Sequence, residues 1–286
     1  MTVDVQPRIS GPWSKRLDGS VVEPVATAAM RTAVGSMRFD LPRASGIPIN
    51  ETTAATSRYP LKVKWAGGNQ LDGARFPIPA KPKLEDHTKD FHLLCWDRQS
   101  GEVFEAIAYQ AKTGDGFWDR LLGSNVHRAA KAAKFRTDVP WKPLDPSKQS
   151  SVVAGFPLSN LLLAPTQLDH ALAVCVPQNR VAGLKIGPTG GASDCDGWVN
   201  DPTLGYVRIG QRLRLRADVD MSGWGPAARA IGICMQVFGI VVVMSGNPKV
   251  NMLKFVVLEN AFLGYSSASL AGLNTITGDA LEAVRL

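Results

Sequence analysis

The sequence predicts a mainly β fold, a sandwich or barrel of about eight to ten short strands with one packed helix. Three observations support this prediction: short apolar runs recur along the chain, glycine and proline are frequent, and one segment has clear helical periodicity. The 286 residues include 27 glycines and 19 prolines, a turn-rich composition. Apolar residues make up 45% and charged residues 20%, which excludes a disordered chain or a coiled coil.

Segments of alternating or continuous apolar character predict the strands. Residues 59–65 (YPLKVKW) alternate between apolar and basic side chains, as expected of a half-buried strand. Residues 91–96 and 103–109 flank a turn and predict a hairpin. Further strands are expected at 170–176, 208–219, 240–244 and 255–258.

One convincing helix is expected over residues 226–238. Pro226 suits its first position, and Gly239 suits the residue after its end. Three apolar residues share one face at helical spacing: Ile231, Met235 and Phe238. The alanine-rich segment 126–136 also favours a helical turn.

Residues 1–46 are punctuated by glycine and proline and predict an extended N-terminal arm with short strands that packs on a partner. The alternative is a poorly ordered tail. Residues 47–286 are expected to form a single β-rich domain. The first residues contain no apolar segment typical of a Sec signal peptide. The longest apolar run, Ile231–Met244, is interrupted and too short to cross a bilayer, so no membrane span is expected.

The formal net charge of +7 is spread along the chain. Two local basic clusters occur, one over residues 120–148 and one at Arg212, Arg214 and Arg216. The three arginines share one face of a predicted strand, because strand side chains alternate. A solvated strand face explains them better than nucleic-acid binding, since no recognition motif accompanies them.

The sequence contains no nucleotide-binding glycine motif, no GxSxG elbow and no HExxH motif. No cysteine pair has the CxxC spacing of a zinc site, and Cys95, Cys175 and Cys234 lie in apolar runs typical of buried thiols. We therefore predict neither a cofactor nor a metal site.

Four residues are candidates for acid–base chemistry. His92 and His170 lie in apolar strand contexts, where a histidine serves as a general acid or base or as a hydrogen-bonded structural residue. Glu105 shares a strand face with apolar neighbours, and burial would raise its pKa and suit it as an acid. The alternative for Glu105 is a charge that protects an edge strand. Asp119 is a further candidate carboxylate.

Tryptophans supply the candidate binding residues. Trp118, Trp198 and Trp224 lie at predicted strand ends or in loops. Sugar rings stack on such indole faces, and the alternative is packing in the core or at corners.

Several blocks of the chain follow a familiar order. Asp90–Glu105 is DFHLLCWDRQSGEVFE, Trp118–Arg128 is WDRLLGSNVHR, His170–Leu172 is HAL, and Ile209–Ala230 is IGQRLRLRADVDMSGWGPAARA. These blocks resemble a family of mostly secreted bacterial β-rich proteins with no settled activity. Its members carry DRHxxxxD…LYE, WDLxSNxLR, HALRFT and MGLRLRLKASFDISGFPPQAR. The resemblance implies a shared β fold and a shared polar site, with the candidates His92, Trp118, Asp119, Ser124, Asn125 and His170.

The chain departs from that family at three polar positions. The family's SAD block is replaced by Ser150–Val152, the arginine after HAL by Ala173, and DNG by Met244–Gly246. A polar site built from those groups would be largely lost. These departures favour binding or structure over catalysis.

The resemblance to secreted proteins, in a sequence without the Sec pattern, suggests a phage that displays a host-type domain on its virion. The predicted function is a virion structural component of the tail or tail tip, assembled in the host cytoplasm. It would contact cell-surface glycan, neighbouring subunits or further copies of itself in a homo-oligomer. The alternative is an envelope polysaccharide-cleaving enzyme, with His170 or His92 as base and Glu105 or Asp119 as acid.

Overall fold

A computed structural model describes most of the chain. The described residues are 14–40, 46–63, 71–85, 91–97, 99–111, 127–136, 168–185, 206–256 and 265–285. They form sheets of seven, four, three and two strands together with two α-helices. The predicted mainly β fold is confirmed, with more strands than expected.

In chain order the strands are β1 (Val21–Val22), β2 (Arg38–Asp40), β3 (Ile49–Thr52), β4 (Arg58–Val63), β5 (Arg75–Pro77), β6 (Leu93–Asp97), β7 (Glu102–Ile107), β8 (His127–Ala129), β9 (Lys131–Arg136), β10 (Leu172–Pro177), β11 (Val181–Lys185), β12 (Val207–Ile209), β13 (Arg212–Leu215), β14 (Ile240–Gly246), β15 (Met252–Phe255) and β16 (Leu281–Arg285). The helices are α1 (Pro24–Val34) and α2 (Pro226–Val237).

The seven-stranded sheet has the order β1-β16-β13-β14-β10-β15-β2. At its centre β10 and β14 pair in parallel, from Leu172 opposite Ile240 to Pro177 opposite Gly246. Strands covered on both faces have near-continuous apolar sequences, which explains the runs LAVCVP and IVVVM. Both helices contribute buried residues to the same core, including Met30 from α1 and Ile231 from α2.

The four-stranded sheet, in the order β3-β6-β7-β9, lies between two apolar cores. Alternate residues of β6 point to opposite faces. Leu94 and Trp96 belong to the core of the seven-stranded sheet, whereas Leu93 and Cys95 belong to a second core. That second core also holds Leu61 and Phe76 from the three-stranded sheet β5-β4-β8. The middle sheet is therefore buried on both faces.

The N-terminal segment is where the structure departs most from the prediction. The short strands expected here are present as β1 and β2 at the two edges of the seven-stranded sheet, but the residues between them form α1 and not an extended arm. One face of α1 is buried and carries Thr27, Met30, Ala33 and Val34. The hydroxyl oxygen of Thr27 accepts a 2.9 Å hydrogen bond from the backbone N–H of Ala283 in β16. This segment is part of the main core.

Residues 127–136 form two strands and not the predicted helical turn. β9 pairs with β7 along its whole length, from Lys131 opposite Ile107 to Arg136 opposite Glu102. β8 pairs in parallel with β4. The many ladder hydrogen bonds available here outweigh the weak helical preference of alanine, which is only about 1 kcal/mol per residue at most.

The second helix and the hairpin agree with the prediction. α2 begins at Pro226 and ends at Val237, and Gly239 follows with φ +76°, a conformation that favours glycine. The hairpin is formed by β6 and β7, with Leu94 opposite Glu105. The single strand predicted over 208–219 is divided into β12 and β13, because Gly210 adopts φ +87° between them. Among the described residues, no helix has the length and apolar character needed to cross a membrane.

Candidate functional site

The candidate site is built around His92, which lies immediately before β6. Its Nδ1 is 2.8 Å from Oε2 of Glu85, and its Nε2 is 3.7 Å from Oε1 of Glu105. The His92 side chain is 3% exposed, that of Glu105 is 2% exposed, and that of Glu85 is 14% exposed. We call these three residues the histidine–carboxylate cluster. It places one imidazole between two carboxylates in a largely dry environment.

Sheet geometry explains why Glu105 faces this histidine. Glu105 lies opposite Leu94 in the antiparallel pair, and Leu94 shares a strand face with the position of His92. β7 is an interior strand flanked by β6 and β9. The interpretation of Glu105 as a charge protecting an edge strand is therefore wrong.

The third member, Glu85, is held in place by its own segment. The amide of Asn50 accepts a 2.7 Å hydrogen bond from the backbone N–H of Lys83 and donates to the carbonyls of Lys83 and Leu94. The backbone N–H of Glu85 then donates to the carbonyl of His92 at 3.1 Å. These bonds fasten residues 83–85 to the beginning of β6, so the cluster joins a loop segment to the middle sheet.

Two non-glycine residues near the cluster adopt positive φ. Phe91, which precedes His92, has φ +39°, and Ala108, which follows β7, has φ +51°. The N–H of Tyr109 donates to the carbonyl of Phe91, linking the two positions. Such conformations carry a cost of order 1–3 kcal/mol each and occur where the surrounding structure holds them in place.

A second histidine, His170, has a carboxylate partner of its own. Its Nδ1 is 2.6 Å from Oδ1 of Asp169, and the thiol of Cys234 donates to its backbone carbonyl at 3.1 Å. Its Nε2 is buried and has no hydrogen-bond partner among the described residues. Asp169 is mostly exposed, so this dyad reaches the surface through its carboxylate.

Sequence reasoning missed a third polar pair, Tyr109 with His127. The Tyr109 hydroxyl is 2.5 Å from Nδ1 of His127, and the ring of Tyr59 lies 4.8 Å from that of His127 between centroids. Burial, with smaller contributions from Cys95 and Tyr59, raises the pKa of Tyr109 and keeps the phenol protonated. The neutral phenol therefore shares a short hydrogen bond with Nδ1 of His127. The chain separation of 18 residues leaves no local motif from which this pair could be predicted.

Trp224 packs inside the protein. Its indole lies between Gly232 of α2 and Gly272, close enough that a Cβ atom added at either glycine would collide with the ring. The indole borders the main core. This position supports a packing role for Trp224. The other candidates Trp118, Asp119, Ser124, Asn125 and Trp198 lie outside the described residues.

The arginine face of β13 is not a uniformly solvated surface. Arg212 is buried and donates to the carbonyl of Phe238, and burial lowers its pKa to about 10. Arg214 pairs with Glu282, and Arg216 pairs with Asp218. Two of the three charges are neutralised within the fold and the third is buried, so this face offers little to a phosphate backbone.

None of the described cysteines forms a disulfide bond. Cys95 and Cys234 are buried as predicted, and burial raises the pKa of Cys95 to about 12. Cys175 was also expected to be buried and is half-buried instead. Within the described ranges, no three His, Cys, Asp or Glu side chains are arranged to hold a metal ion.

Comparisons with protein-family models, curated proteins and solved structures return no match.

Proposed function

We propose that this protein is a virion structural component, part of a phage tail or tail tip, whose β-rich domain contacts cell-surface glycan or neighbouring subunits. The observation that carries the proposal is the burial of the candidate catalytic groups. His92, Glu105 and His170 are each at most 2% exposed as whole residues. A catalytic group must touch its substrate, whereas a buried, partnered polar group specifies how layers of a fold pack together.

The architecture supports the same proposal. The middle sheet is buried on both faces, and the histidine–carboxylate cluster fixes a loop segment to it. A domain held in this way presents its loops and sheet edges as contact surfaces on a rigid scaffold. The resemblance to secreted bacterial proteins is consistent with a surface that meets the cell exterior.

Sedimentation of virions tests the proposal. Antibodies against the chain should detect it in phage particles purified by density gradient from lysates of the source cells. We expect it at a fixed ratio to other tail proteins after a high-salt wash. A chain that stays with the soluble proteins of the same gradient would contradict the proposal. An abundant host enzyme is followed in parallel, because its presence in the virion fraction would reveal proteins that are carried along non-specifically.

Polysaccharide cleavage is the second candidate, and one observation favours it. The structure brings His92 and Glu105, two residues predicted as base and acid, within 3.7 Å of each other beside residues with positive φ. Unusual backbone conformations cluster at active sites. This candidate requires sugar release from envelopes that depends on His92.

A further inference from the structure

A groove lies at one edge of the seven-stranded sheet. It has a volume of about 470 Å³ and is lined by residues 21–26 together with Arg208 and Arg285. Its walls are β1, the first turn of α1 and the ends of β12 and β16. Apolar atoms dominate its surface.

Two valines beside the groove project into solvent. Val21 is 69% exposed and Val25 is 80% exposed. Neither valine contributes to the core. Val25 lies in the first turn of α1, where a β-branched residue forms helix less readily than alanine does. The same surface therefore carries apolar projections next to an apolar depression.

β1 is an edge strand in the part of the sheet that the structure describes. In the described part of the sheet its neighbour is β16, with Val21 opposite Arg285 and Val22 opposite Val284. An edge strand of this kind presents backbone N–H and C=O groups that another strand can pair with.

The charges around the groove have both signs. The Glu23 carboxylate, 30% exposed, pairs with Arg285, which is itself highly exposed. Arg208 has no carboxylate within ion-pair distance among the described residues, although it lines the same groove. A two-fold interface brings the same patch of two copies together, and this patch carries charges of both signs that can pair across the axis.

We infer that the groove binds a second copy of this chain. The β1 strands of two copies pair antiparallel across a two-fold axis, Val21 and Val25 of each copy enter the groove of the other, and Glu23 of one copy meets Arg208 of its partner. The inference rests on the proposed role in assembly, and it specifies one contact of that assembly, the one between two copies of this chain. Its test uses purified protein, so its outcome is separate from that of the virion gradient.

Analytical ultracentrifugation of the full chain tests the inference. We expect a dimer of the 30.7 kDa chain that dissociates on dilution. Val21→Lys and Val25→Lys should each weaken association at least about tenfold, because a charge then occupies the apolar centre of the interface. The matched control is Val250→Lys, which changes an exposed valine outside the groove and should leave association unchanged.

A charge exchange tests the orientation of the pair. Glu23→Arg and Arg208→Glu should each weaken the dimer, and the double variant should recover most of the loss because the two charges meet across the axis. Thermal melts of every variant confirm folding. A monomer at every concentration, or a dimer indifferent to both lysine substitutions, would overturn the inference. Binding of this groove to a different protein by a monomeric chain would also overturn it.

Discussion

Replacing His92 with leucine is expected to lower the free energy of unfolding by about 3–5 kcal/mol, because the buried carboxylate of Glu105 and the half-buried carboxylate of Glu85 then lose their contact with the imidazole. Glu105 has almost no exposed surface through which water could solvate it. Urea denaturation followed by tryptophan fluorescence measures the change. The exposed pair Arg16–Asp18 provides the control, since Asp18→Ala should change stability by no more than about 1 kcal/mol.

A double-mutant cycle separates this effect from simple loss of packing. Glu105→Leu alone should also destabilise the protein. The variant carrying both His92→Leu and Glu105→Leu should be less destabilised than the sum of the single variants, by about 0.5–3 kcal/mol. Additive effects would show that the two side chains do not interact, contrary to the 3.7 Å contact.

Replacing Phe39 with alanine is expected to cost about 3–5 kcal/mol, the usual range for a buried phenylalanine. Phe39 lies in β2, is 1% exposed and stacks on Phe255 with ring centroids 4.9 Å apart. If residues 1–46 were an extended arm, the same substitution would have little effect on the domain. The measurement is again the free energy of unfolding from urea titration.

Two further variants make the Phe39 result interpretable. Phe91→Ala removes the same side chain from a position that is 46% exposed, and its cost should be much smaller. Phe39→Leu keeps an apolar side chain of similar volume and should cost less than about 1.5 kcal/mol, so a folded variant remains if the alanine protein does not fold. Equal losses from Phe39→Ala and Phe91→Ala would contradict the placement of β2 in the core.

The N-terminal segment shows what sequence patterns could and could not predict. The periodic signal of α1 was present in Thr27, Met30, Ala33 and Val34, with Pro24 at its first position. Frequent glycine and proline around it favoured an extended arm instead. The pairing of β1 with β16 joins residues that lie at opposite ends of the chain, as Val21 opposite Arg285 shows. No local pattern encodes such a pairing.

The candidate site was predictable in part. Alternation along the strand placed Glu105 on a face with apolar neighbours, and its burial is confirmed. The predicted hairpin is confirmed, and the antiparallel pairing of β6 with β7 brings Glu105 close to His92. Glu85 was not predicted, because its position depends on the Asn50 hydrogen bonds to a segment 33 residues away.

Sugar release from purified bacterial envelopes tests the central claim most directly, namely that the histidine–carboxylate cluster is structural and that the protein acts in assembly. Wild-type protein, His92→Gln and His170→Ala are incubated with envelopes, and released reducing sugar is measured beside the unfolding midpoint of each protein. The account predicts no release above buffer from any of the three and a lowered midpoint for His92→Gln. Release by the wild-type protein that disappears in His92→Gln at an unchanged midpoint would contradict it.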